Sequence, residues 1–148
     1  MLERMDGPER VRAALMAQGF MRLVGAEIDE VTAGRVVLGL DWRPEVAQQH
    51  GLFHGGVVAF LIDNATTAAA GTVLREGQAC LTAEYKVNLL SGASSGRLQC
   101  VAEVLKPGRS LSVVEARVWG EIGGQRKLVA TGTATIAVIA APAPPEAA

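Results

Sequence analysis

The chain has 148 residues, enough for one domain that buries about two-thirds of the surface its unfolded form would expose. Lys plus Arg number 14 against 15 Asp plus Glu, so no overall field favours nucleic acid or an anionic membrane, and an anionic ligand has to be met locally. Its two cysteines, Cys80 and Cys100, lack metal spacing and form no CxxC pair, and they read as small apolar fillers of strand-like segments.

The first dozen residues carry Glu3, Arg4, Asp6, Glu9, Arg10 and Arg12, which leaves no apolar core for a secretory signal and predicts a cytoplasmic protein. Pro8 to Gln18 read as a short helix, with Pro near its first turn and Gly19 as its stop. Residues 1–20 thus form an N-terminal helical segment ahead of a domain at 21–139. Leu23 to Thr32 and Arg35 to Trp42 are rich in Val and Leu, and Ala33-Gly34 between them predicts a hairpin. Arg43 to Phe53 is a loop carrying Pro44 and Gly51.

A helical run from His54 to Leu74 follows. Residues 55–74 contain no Lys or Arg, yet Asp63, Asn64, Thr66, Thr67 and Thr72 would be costly in lipid, which predicts a buried helix rather than a membrane span. Ala65, Ala68, Ala69, Ala70 and Gly71 carry so little bulk that a sheet can wrap closely around it. Four strand-like runs come next: Ala79 to Leu90, Arg97 to Lys106, Ser110 to Glu121 and Lys127 to Val138. Ser91-Gly92, Pro107-Gly108 and Gly123-Gly124 separate them, and an antiparallel meander is the simplest topology. Val114, Ala116 and Val118 alternate with Glu115 and Arg117, the pattern of a sheet with one wet face. The fold class is α+β. Residues 140–148, nearly all Ala and Pro, predict a frayed tail.

The helix entrance, Gln48-Gln49-His50-Gly51-Leu52-Phe53-His54-Gly55-Gly56, and the carboxylate of Asp63 form the candidate site. Gly55 and Gly56 let a ligand approach the N–H groups left unpaired where a helix begins, and such donors can hold an oxygen as it gains negative charge. Asp63 can attack directly or draw a proton from water. Thr67 lies four residues on, where its hydroxyl either bonds the carboxylate or turns back to a helix carbonyl. Gln48 either orients substrate or water or is an ordinary loop amide. His54 braces the turn, and His50 is a solvated loop residue. His54 and Asp63 stand nine positions apart, opposite in azimuth and about 13 Å apart along the axis. If both serve one reaction centre, that centre is built from two antiparallel copies of the helix, hence from a two-fold dimer.

His54-Gly55-Gly56, with Gly51 before and Leu61 and Asp63 after, resembles the hotdog-fold acyl-CoA thioesterases, particularly the phenylacetate-degradation-related (PaaI-like) branch. The similarity runs from Leu23 to Val138, through Lys106-Pro107-Gly108-Arg109 and Leu128-Val129-Ala130-Thr131-Gly132. It implies a long central helix wrapped by a curved antiparallel sheet of about six strands, a homodimer, often a dimer of dimers, and acyl-CoA as the partner, with no nucleic acid or membrane. It further implies hydrolysis of the thioester without metal or redox cofactor. In such enzymes the helix acid is nucleophile or general base, and the Gly after the His polarises the carbonyl; these roles fall on Asp63 and Gly55.

Gln48 with a Thr after the acid is similar instead to the 4-hydroxybenzoyl-CoA thioesterases, which use Glu where this chain has Asp63, so both attack by carboxylate and attack by water stay open. Thr82 matches a position where relatives place a hydroxyl that holds the attacking water. For coenzyme A the resemblance points to Lys106, Gly108, Arg109 and Ser110, with Arg97 on the adjacent strand, and cations beside free N–H groups at a turn suit phosphates. An aryl or medium-chain acyl group is expected, in a pocket at the dimer interface lined by Phe53 and Phe60. Two alternatives use the same fold: a non-catalytic acyl-CoA sensor, and an enoyl-CoA hydratase, whose acid-histidine motif this chain does not carry.

Overall fold

A computed structural model describes residues 5–143; Glu3, Arg4 and residues 144–148 of the expected tail lie outside the described residues. Helix α1 (Gly7–Ala17) opens on a capping box, in which Asp6 accepts from the Glu9 N–H at 2.8 Å and Glu9 accepts from the Asp6 N–H at 2.9 Å. Helix α1 ends at Ala17 with Gln18 as its C-cap, within a residue of the stop expected at Gly19. Gly19 also opens a second helix, α2 (Gly19–Val24), which buries Met21 and Val24 and is closed by Gly25 at φ 75°. Leu23 and Val24 therefore belong to α2, and the first strand, β1 (Ala26–Thr32), begins three residues later than expected.

β1 and β2 (Arg35–Asp41) form the expected hairpin, with Gly34 at φ 76° in its turn. The loop beyond contains a 3₁₀ turn at Pro44–Val46. Helix α3 (Gly55–Gly71) then buries Val57, Val58, Leu61, Ile62, Ala65, Thr66 and three alanines against the sheet. Four strands follow: β3 (Gln78–Leu89), β4 (Arg97–Lys106), β5 (Leu111–Ile122) and β6 (Gln125–Ala140). β6 runs through Ala140, the first residue of the expected tail.

The antiparallel sheet has six strands in the order β1-β2-β4-β5-β6-β3, so the expected meander is corrected at one strand. Helix α3, about 25 Å long, carries the chain across the sheet face and lays β3 down at the far edge, beside β6, while β4 takes the place next to β2. The result is the hotdog arrangement, a helix wrapped by a curved sheet. Small residues permit the close approach: a Cβ on Gly132 of β6 would stand 2.6 Å from Ile62 Cγ2 of α3. The alternation in β5 is as read, with Val114, Ala116 and Val118 buried. No helix among the described residues is long and apolar enough to cross a membrane.

β3 carries a bulge between Thr82 and Glu84. The pairings of Thr82 with Ile136, Tyr85 with Ala134 and Leu89 with Ala130, all buried partners on β6, place Thr82, Tyr85, Val87 and Leu89 on the helix face of the sheet. Were Ala83 paired in regular register instead of bulged, strict alternation would turn Glu84, Lys86 and Asn88 inward.

Candidate active site

The loop before α3 is held at several points. Gln48 N–H donates to Leu52 O at 2.8 Å, His54 N–H to Val46 O at 2.8 Å, and Trp42 Nε1 to Gly51 O at 3.0 Å, with Gly51 at φ 81°. His54 is the N-cap, its Nδ1 accepting from the Gly56 N–H at 2.8 Å, which leaves the ring hydrogen on Nε2. The bracing role read for His54 is thus realised, and it occupies one of the two N–H donors expected to be open, that of Gly56. The Gly55 N–H makes no hydrogen bond among the described residues. Gly55 lines a cavity of about 310 Å³ together with Gln48, Leu52, Phe53, Val58 and Leu89 among others. Gln48 Oε1 accepts from the His50 N–H, so it is both a loop brace and a wall of this cavity.

Asp63, half-buried on α3, is held from β3: Thr82 Oγ1 donates to Asp63 Oδ1 at 2.7 Å. Thr67 does not touch the carboxylate. Its hydroxyl lies 2.9 Å from the backbone O of Asp63 and 2.7 Å from Thr82 Oγ1. Two hydroxyls have two hydrogens for these three contacts, so with Asp63 ionised Thr82 donates to the carboxylate and Thr67 divides its hydrogen between Asp63 O and Thr82. Thr67 therefore back-bonds to the helix, and the expected bond to the carboxylate is not made; its hydroxyl reaches Thr82 instead. Cys80 Sγ donates to Thr67 O at 3.6 Å, and burial raises its thiol pKa.

Gly55 and Asp63 lie eight residues apart on α3, about 12 Å along its axis. Within one chain the free N–H and the carboxylate do not meet. The open face of α3 between them looks past β3, whose outer edge pairs with no strand among the described residues and exposes Leu81, Tyr85 and Leu89 at 61%, 42% and 60%.

At the β4–β5 turn Lys106, Arg109 and Ser110 are exposed, and neither cation forms an ion pair among the described residues. Gly108 N–H donates to Ser112 Oγ at 3.4 Å; a Cβ on Gly108 would stand 1.8 Å from Leu111 O, so the turn admits only glycine there. Arg97 is not part of this cluster. It starts β4 while Lys106 ends it, about 30 Å away in an extended strand, and its guanidinium lies over Gly39 and donates to Asp29 at 2.6 Å and Asp41 at 3.0 Å. Burial opposes its charge, but the bonds to Asp29 and Asp41 outweigh that and raise its pKa.

Two contacts beside Asp63 escaped the sequence reading. Gln18 and Asn64 exchange amide bonds, Gln18 Nε2 to Asn64 Oδ1 at 3.2 Å and Asn64 Nδ2 to Gln18 Oε1 at 3.0 Å. Phe20 meets Phe60 edge to face, with ring centroids 4.8 Å apart. An Asn inside an apolar helix signals that a partner exists, but Gln18 is found only once the chain is folded. Among the described residues no three His, Cys, Asp or Glu side chains gather as a metal site would require.

Comparison with known proteins agrees with this geometry. Residues 50–127 match a family described as "Thioesterase superfamily". A crystal structure of a thioesterase family protein from Silicibacter pomeroyi is similar at a TM-score of 0.85 and 38% identity, covering 89% of this chain and 97% of that one. The 1,4-dihydroxy-2-naphthoyl-CoA hydrolase of Listeria monocytogenes is 29% identical over 120 residues, 81% of this chain and 95% of the relative. Acyl-coenzyme A thioesterase 13 of Homo sapiens is 30% identical over 130 residues, 86% of this chain and 90% of the relative.

Proposed function

The chain belongs to the thioesterase superfamily and is a hydrolase of acyl-CoA thioesters, and from that premise we propose that it cleaves aryl- or medium-chain acyl-CoA at a site shared by two subunits. The observation that carries this reading is the pairing of a free Gly55 N–H at one end of α3 with a hydroxyl-held Asp63 carboxylate two turns further on. Two antiparallel copies of α3 bring the Gly55 of one subunit opposite the Asp63 of the other. The unpaired edge of β3 and its exposed Leu81, Tyr85 and Leu89 support that assembly, and Leu105 and Leu111, exposed at 56% and 52%, support a further pairing of dimers.

In this mechanism the Gly55 N–H, at the positive end of the helix dipole, donates to the thioester carbonyl oxygen as it becomes an oxyanion, an effect of about 3 kcal/mol per donor. Asp63 either adds to the carbonyl carbon or takes a proton from the water that does. If Asp63 adds, the C–S bond breaks to leave a mixed anhydride on Asp63, which a water then hydrolyses; if water adds, the C–S bond breaks directly. By either route one water is consumed, and the thiol of coenzyme A and a carboxylic acid are released. Thr82 and Thr67 hold Asp63 for this step, His54 fixes the helix entrance through Gly56, and Gln48 borders the carbonyl from the loop. Lys106 and Arg109, with Gly108 and Ser110 shaping their turn, receive the phosphates of coenzyme A. Arg97, held by Asp29 and Asp41, serves the sheet rather than the ligand.

No metal or redox cofactor enters this scheme. The same reading expects a cytoplasmic enzyme, in keeping with two unpaired cysteines. Thiol release from a panel of aryl, short, medium and long acyl-CoAs tests it. Turnover by the wild type that is lost in Asp63→Ala supports the proposal; unchanged turnover in that variant contradicts it.

A further inference from the structure

We propose that Phe20 determines which acyl groups the enzyme accepts, by forming with Phe60 the wall against which the acyl group lies; this inference rests on the thioesterase reading of Asp63. Phe60 is three residues before Asp63, so the two share the open face of α3 within one turn. The reacting carbon must come within about 3.5 Å of Asp63 or of its water, which puts the first atoms of the acyl group beside Phe60. The Phe20 ring packs edge to face on Phe60 at 4.8 Å, yet 52% of Phe20 is exposed. The chain has only three phenylalanines, and two of them form this half-wetted pair next to the carboxylate.

The pair is also built to stay in place. Phe20 is the second residue of α2, and Gln18, two residues earlier at the joint with α1, is tied to α3 on the other side of Asp63 by its reciprocal amide bonds with Asn64. The joint therefore grips α3 at residues 60 and 64, on both sides of the carboxylate. A wall fixed at two points can discriminate chain length and shape, whereas a loose aromatic would yield to any substrate.

The test is the ratio of kcat/KM between a long and a short acyl-CoA, measured for the wild type, Phe20→Ala, Phe20→Leu and Phe20→Trp. The ratio does not depend on the fraction of folded enzyme, so a loss of stability cannot imitate the effect. Removing the ring is expected to shift the ratio toward the longer or bulkier acyl group by about tenfold in Phe20→Ala, less in Phe20→Leu, and Phe20→Trp is expected to shift it the other way. Ratios within twofold of wild type in all three variants overturn the inference while leaving the thioesterase reading intact. Unchanged ratios with a smaller assembly by light scattering assign Phe20 to the subunit contact, which also overturns it. A wild type that releases no thiol from any acyl-CoA overturns the thioesterase reading, and this inference with it.

Discussion

Thr82 on β3 donates a 2.7 Å hydrogen bond to Asp63 on α3, so the acid of the helix is oriented by the strand that forms the open edge of the sheet. Thr67, one turn beyond Asp63, reaches the same Thr82 hydroxyl at 2.7 Å. The edge strand and the helix thus meet at the reactive group through the Thr82 hydroxyl, the last residue in regular register before the bulge at Ala83. That bulge keeps Thr82 and Tyr85 both on the helix face and turns Glu84 outward, where its carboxylate accepts from Thr135 at 2.8 Å.

Thr82→Val removes the one hydroxyl bonded to the carboxylate among the described residues. A hydrogen bond to a charged group contributes about 1.5–3 kcal/mol, so kcat is expected to fall by roughly one to two orders of magnitude, while Thr82→Ser stays within a few-fold of wild type. Thr67→Val, which acts through Thr82, is expected to cost less. Steady-state kinetics on one acyl-CoA decides this, and equal losses in Thr82→Ser and Thr82→Val would remove the hydroxyl from the account.

The β4–β5 turn and Arg97 are expected to behave differently. Lys106→Ala with Arg109→Ala should raise KM for acyl-CoA with kcat nearly unchanged, the mark of lost uniform binding, and added salt should narrow the gap from wild type. Arg97→Gln should leave KM alone and lower stability by about 1 kcal/mol, the scale of partly exposed ion pairs, because Asp29 and Asp41 lose their partner. A KM effect from Arg97→Gln alone would return that residue to the coenzyme site.

Burial raises the pKa of both thiols, half-buried Cys80 and fully buried Cys100. Native protein should therefore react slowly with a disulfide reagent at Cys80 and not at Cys100 until it unfolds. Because the folded thiols hold their protons more tightly than the unfolded chain does, their contribution to stability is present below the ordinary thiol pKa and is lost as pH rises through the raised values. Rapid titration of two thiols in the native state would contradict the packing around Cys100.

Much of this was legible in the chain. The glycine-flanked strands, the small-residue helix and the Asp63 carboxylate follow from periodicity and local chemistry, and the β5 alternation named its own buried face. What was not legible depended on partners distant in sequence. Nothing local says that β3 lies beside β6, that Ala83 is a bulge, or that Gln18 bonds Asn64. The second helix that opens at Gly19 was not legible because the burial of Met21 and Val24, which makes α2 worth forming, exists only in the fold. The carboxylate partners of Arg97 come from β1 and β2, 68 and 56 residues earlier, and no local pattern names them.

The account rests on a site completed by two subunits, and mixed dimers test it most directly. Asp63→Asn removes the acid, and Gly55→Pro removes the free N–H at a helix position that tolerates proline, after a His54 already extended at φ −63° and ψ 135°. Each variant alone is expected to be inactive. Co-expressed in equal amounts, they form mixed dimers in which one of the two sites unites an intact Gly55 with an intact Asp63, so thiol release should recover to about a quarter of wild type by random pairing. No recovery from folded, mixed dimers would mean that each chain carries its own complete site and would contradict the shared one.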